Sequence, residues 1–74
     1  MMTQQARFLE TITFMGNDIL IAISDIKCIY LTYVDKSHKI VIKCFSETET
    51  EENFSDGDKA VIRYQQIKDI IGAK

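Results

Sequence analysis

Short runs of β-branched and aromatic residues, each ended by turn-forming residues, constrain this chain more than any other feature. Phe8, Ile12 and Phe14 lead to Gly16-Asn17, and Ile19 to Ile23 lead to Ser24-Asp25. Cys28 to Val34 lead to Asp35-Lys36-Ser37-His38, and Lys39 to Phe45 run into an acidic stretch. Each run falls far short of the roughly 20 apolar residues that a membrane-crossing helix needs, so no membrane association is expected. Their composition suits strands. The chain is therefore read as α+β, a small, mostly antiparallel sheet with strands at about 7–15, 18–23, 28–34 and 39–45 and a C-terminal helix at about 64–72.

The turns predict the pairing. Gly16 and Asn17 tolerate positive φ and suit a two-residue primed turn. The first strand then sets Phe8, Ile12 and Phe14 on one face, interrupted by Glu10. The second, with Ile19, Leu20, Ile21 and Ile23, is nearly all apolar and reads as central, covered on both faces. Ser24-Asp25 favours a turn or a single helical turn, from which Ile26 and Ile29 reach the core. In the third strand Ile29, Leu31 and Tyr33 share one face and Cys28, Tyr30, Thr32 and Val34 the other. A sheet apolar on both sides needs a helix on one and another partner on the other, so a homo-oligomer is expected.

From Ser46 to Asp58 the chain carries Glu47, Glu49, Glu51, Glu52, Asp56 and Asp58 with no base until Lys59. Clustered like charges resist packing, so 46–58 reads as an acidic loop with Phe54 as anchor. Two readings compete beyond it. In one, Ser55-x-x-Asp58 is a capping box opening a long helix with Ala60, Val61, Tyr64, Ile67 and Ile71 along one side. In the other, Asp56-Gly57 is a turn and 60–63 form a fifth strand before the helix. The second is favoured, because Val61-Ile62 is β-branched. Gly72 is the helix stop on either account.

At 74 residues the chain makes one domain, 7–74, behind a flexible N-terminus at 1–6. A chain of this size buries only about 60% of its unfolded surface, so its stability is expected to be modest. Two cysteines are too few for a disulfide framework and no leader precedes the first strand, which points to a reducing cytoplasm. If the third and fourth strands were joined by three or five residues, Cys28 and Cys44 would share a sheet face; a four-residue join would separate them.

The chemistry is sparse. His38 is the only histidine and falls in the expected turn, where no cleft positions a substrate, so no catalytic role is expected. The acidic stretch lacks the ligand spacing of a calcium loop, and there is no phosphate loop, nucleophile elbow or zinc-protease motif. No enzyme, metal or cofactor is expected. A formal charge of −2 disfavours nucleic acid, since phosphate affinity rests on clustered Lys and Arg. The alternative is a local basic face of Lys27, Lys36, Lys39, Lys43 and Arg63. The six carboxylates of the acidic loop could instead steer a basic protein partner.

The succession Phe14-Met15-Gly16-Asn17-Asp18-Ile19-Leu20-Ile21, then Ser24-Asp25-Ile26-Lys27-Cys28-Ile29, resembles small FlbD-like proteins and the β-rich core of LytTR-type DNA-binding domains. The first resemblance implies a small cytoplasmic protein; the second implies DNA contacts from loops after the later strands, where this chain is acidic. Neither carries a functional residue across. The expectation is a small, non-enzymatic protein-interaction or regulatory module that self-associates.

Overall fold

The computed structural model describes residues 7–13 and 15–72. The expected flexible N-terminus at 1–6 and the facing of Phe14 lie outside them. Five antiparallel strands form two sheets, followed by one helix, in an α+β fold. β1 (Phe8–Ile12) and β2 (Asp18–Ala22) make a two-stranded ribbon, and a 3-10 turn over Ile23–Asp25 leads on. β3 (Ile26–Val34), β4 (Ser37–Cys44) and β5 (Glu49–Phe54) make a sheet in that order, and α1 spans Gly57–Ile71. No helix among the described residues is long and apolar enough to cross a membrane.

The core lies where ribbon, sheet and helix meet, around Leu9, Ile21, Ile40, Ile42, Cys44 and Ile67. Ile23, Ile26, Ile29, Leu31, Phe54, Tyr64 and Ile71 pack against it. In the ribbon the inward face carries Leu9 and Thr11, whereas Phe8 is exposed. The phase expected from Phe8 and Ile12 is therefore reversed, because Leu9 sits opposite Ile21 and both are buried. β2 is not central. It pairs only with β1, and Leu20 is left exposed.

The ribbon loop is also longer than a two-residue turn. Ile12 is opposite Asp18, the Thr13 and Asn17 backbones are joined at 2.9 Å, and Gly16 takes a left-handed φ of 86°. The opposite error occurs at the next hairpin. Val34 pairs with Ser37, so only Asp35 and Lys36 turn the chain, at φ 52° and 64°. Two consecutive left-handed residues are the primed geometry that fits strand twist, here without a glycine. His38 thus lies on β4 rather than in a turn.

The acidic stretch 46–58 is not a loop along its length. Cys44 N–H donates to Thr48 O, Glu47 N–H donates to Cys44 O, and Glu47 has φ 72°. This is a three-residue hairpin loop with its last member left-handed, and it delivers Glu49–Phe54 as β5. Asp25 anchors the loop: its carbonyl accepts from Phe45 N–H at 2.8 Å, and its carboxylate accepts from the Ser46 N–H and hydroxyl.

Residues 60–63 are helix, not strand. Asp56 is the N-cap, its Oδ1 accepting from Asp58 N–H at 2.9 Å, and Gly72 closes the helix at φ 75°. A carboxylate at the cap and Asp58 in the first turn favour helix growth, and this outweighs the β preference of Val61-Ile62. Both side chains face outward, while Ala60 and Ile67 are fully buried. Of the two readings, the long helix is the one adopted, with its cap one residue later.

A left-handed non-glycine residue costs about 1 kcal/mol, part of which glycine returns through unfolded-chain entropy. Glu47→Gly should therefore raise the urea midpoint by an amount equal to about 0.5 kcal/mol of stability.

Candidate functional site

β5 brings the acidic and basic residues of the sequence together. Glu49, Glu51 and Asn53 share a face with Lys39, Val41 and Lys43 of β4, while Thr50, Glu52 and Phe54 face the core. Lys39 Nζ is 3.0 Å from Glu51, and Lys43 Nζ is 3.9 Å from its direct opposite, Glu49. Lys43 also stands 6.0 Å from the centre of the Tyr30 ring. Val41, between Tyr30 and Glu51 in register, is buried even though it lies on the outward face. Long lysine stems and a tyrosine cover it.

The inward face carries the one built polar cluster among the described residues. Glu52, only 8% exposed, is held by Arg63, whose Nε and NH2 donate to Oε1 and Oε2, both at 2.9 Å. Thr11 donates its hydroxyl to Oε2 at 2.6 Å, and Arg63 NH2 reaches the Glu10 carbonyl at 2.8 Å. β1, β5 and α1 are thereby tied through two side chains. The hydrogen bonds from Arg63 to Glu52 raise the guanidinium above its ordinary value, against a lowering by burial. Beside the cluster is a cleft of about 270 Å³ lined by Glu10, Thr11, Ile12, Asp18, Glu52 and Arg63. It is open, its one cation and its buried carboxylate already satisfy each other, and its one hydroxyl, that of Thr11, is spent on Glu52.

The candidate residues are thus dispersed. Of the six acidic ones, Glu49, Glu51 and Glu52 face cations, Asp56 caps α1, Asp58 is in its first turn and Glu47 is in the hairpin loop. Of the basic ones, Lys39, Lys43 and Arg63 face those same glutamates, and Lys27 and Lys36 are exposed. No group of three His, Cys, Asp or Glu residues among the described ones could hold a metal. His38 packs against Tyr33, ring centres 4.6 Å apart, and against Gly57, where a Cβ would come within 3.0 Å of the imidazole. It is a spacer under the start of α1.

Cys28 and Cys44 are both free and on opposite faces, since Cys28 pairs with Lys43, the neighbour of Cys44. The separation follows from the two-residue turn, whose register runs unbroken from Val34–Ser37 to Cys28–Lys43. Burial, and secondarily Asp25, push the Cys44 thiol above its ordinary value of 9.0.

β3 remains as an unusual surface. It is the terminal strand of its sheet, whereas the opposite edge strand, β5, is linked to β1 through Thr11 and Glu52. Over 27–34, no backbone or side-chain hydrogen bond outside the β4 ladder involves β3 among the described residues. Tyr30, Tyr33 and Val34 are 40%, 60% and 43% exposed. Comparisons with protein-family models, curated proteins and solved structures find no match. Nothing in them bears on the FlbD-like or LytTR-type resemblance.

Sequence reasoning missed the Glu52–Arg63 pair and the open edge. The available signal for the first was the period-two placement of Thr50, Glu52 and Phe54.

Two measurements check this site. Arg63→Met should destabilise by about 2–3 kcal/mol by stranding a buried carboxylate, while Glu52→Leu/Arg63→Met should recover most of the loss in urea unfolding. A folded thiol with a raised pKa contributes stability that is full below 9.0 and is lost as the pH rises through the folded value. Alkaline melts of the parent should therefore fall more steeply above pH 9.0 than those of Cys44→Ala.

Proposed function

We propose that this chain is a non-enzymatic protein-interaction module that works as a homo-oligomer. The observation that carries the reading is the free edge of β3. From Cys28 to Val34 the strand has no charge and no proline, and its outer backbone groups have no partner among the described residues. An exposed, uncharged edge strand of this length is an aggregation hazard unless something pairs with it. Exposed Phe8 and Leu20 on the ribbon and Val61 and Ile62 on the helix add apolar surface around the same small body.

The other readings receive less support. A nucleic-acid face would retain Lys27 and Lys36 as its unpaired cations, since the remaining three are engaged by glutamates. A basic protein partner would meet Glu49, Glu51 and Glu52 already facing cations and Asp56 engaged as the helix cap, which leaves Glu47 and Asp58 of the six. A reducing, cytoplasmic setting accords with two cysteines that face away from each other.

Light scattering coupled to size exclusion tests the reading. The mass per particle should rise above 8.5 kDa towards an assembled species as concentration climbs through the micromolar range. A constant monomer mass throughout would overturn it.

A further inference from the structure

The interface can be specified further, on the basis of the self-association reading. We infer that the partner at β3 is a second copy of β3, antiparallel about a two-fold axis through Tyr30, making one continuous six-stranded sheet. The first argument is backbone geometry. A hairpin closed by a two-residue turn has its flanking pair hydrogen-bonded, so Val34, Thr32, Tyr30 and Cys28 turn their peptide groups to β4. Ile29, Leu31 and Tyr33 then turn theirs to the open edge. In an antiparallel pair, outward-facing residues must meet outward-facing residues. Full overlap of the strand with itself meets that rule: Ile29 falls opposite Leu31 of the second copy, and Tyr30 opposite Tyr30.

Charge supplies the second argument. Lys27 and Asp35 flank the uncharged segment at its two ends; both are exposed, and neither has an ion-pair partner among the described residues. In the antiparallel register Lys27 lies opposite the second copy's Tyr33 and diagonal to its Asp35, within reach of a long side chain, at both ends of the interface. Parallel pairing would instead set like charges side by side. The bulge between Ile26 and Cys28 falls at Lys27, so the regular overlap of the two copies runs over 28–32 and the Lys27–Tyr33 contacts close it at its two ends.

Closure is the third argument. The contact is isologous, each copy offering the same edge to the other, while the sheet's second edge strand, β5, carries the charges Glu49, Glu51 and Glu52 that discourage edge pairing. Assembly through this contact therefore stops at two copies.

A cysteine scan reads the register. In a Cys28→Ser background, Tyr30→Cys puts two thiols opposite each other at a non-hydrogen-bonded position, where Cα atoms approach to about 4.5 Å, within disulfide range. Mild oxidation should convert most of this variant to a covalent dimer on non-reducing gels. Thr32→Cys in the same background faces the thiol-free position 28 of the second copy and should stay largely uncrosslinked. Tyr33→Lys, at an exposed position, sets two cations together at each end and should weaken dimerisation about tenfold while leaving the circular dichroism unchanged. If the chain dimerises but Tyr30→Cys crosslinks no better than Thr32→Cys and Tyr33→Lys has no effect, this interface is wrong and the self-association reading stands. A chain monomeric throughout would remove both.

Discussion

The carboxylate of Glu52 ties together three elements, β1, β5 and α1, and the placement of the ribbon depends on it. A charged group almost fully removed from water is tolerated only where its lone pairs are met, and here two Arg63 nitrogens and the Thr11 hydroxyl meet them. Those donors come from different elements, so the requirement draws β1 and α1 onto β5. The ribbon belongs to a separate sheet and shares no ladder with β5. This polar knot, with the Glu10 carbonyl as its outer stitch, fixes where the ribbon sits, and the buried pair Leu9 and Ile21 then seals the core from that side.

The same strand neutralises the chain's charge pattern. Along the sequence, lysines precede a block of glutamates, and each block taken alone suggests a binding surface. Folding sets β4 against β5 in antiparallel register, which converts the two blocks into a cross-strand ladder. Exposed pairs of this kind each add only a few tenths of a kcal/mol to about 1 kcal/mol. Their larger effect is on specificity, since a register slip would separate both pairs and turn Glu52 outward.

Fold class, the β3–β4 hairpin, the helical turn at Ser24-Asp25 and the Gly72 stop were legible because each rests on local chemistry: β-branched runs, turn formers, a left-handed glycine. What was not legible depended on partners distant in sequence. β5 reads as a loop because its inward positions are Thr50 and Glu52 instead of Val or Ile, and Arg63, eleven residues on, is what makes that acceptable. The tightness of the Asp35-Lys36 turn is hidden because the geometry that usually announces itself with Gly is carried by a lysine. Val61-Ile62 misleads because propensity for strand is weak against a carboxylate cap and the buried Ala60 and Ile67 on the same helix. Of the candidate site, the residue types were visible in the sequence and their mutual pairing was not.

This arrangement changes the physical basis for self-association. The sequence argued from a sheet apolar on both faces. In the structure one face is covered by ribbon and helix, and the other is closed over Val41 by Tyr30 and the lysine stems. What the sheet leaves open beside its two faces is the uncharged backbone edge of β3. The proposed pairing there would gain peptide hydrogen bonds and aromatic contacts over a narrow strip, so its strength would be that of a transient interface instead of an obligate core. A domain this small has modest stability of its own, and any free energy of pairing adds to it by mass action. In the proposed dimer the open edge would therefore couple folding to concentration: the conditions that bring two copies together would also be those in which each is most firmly folded.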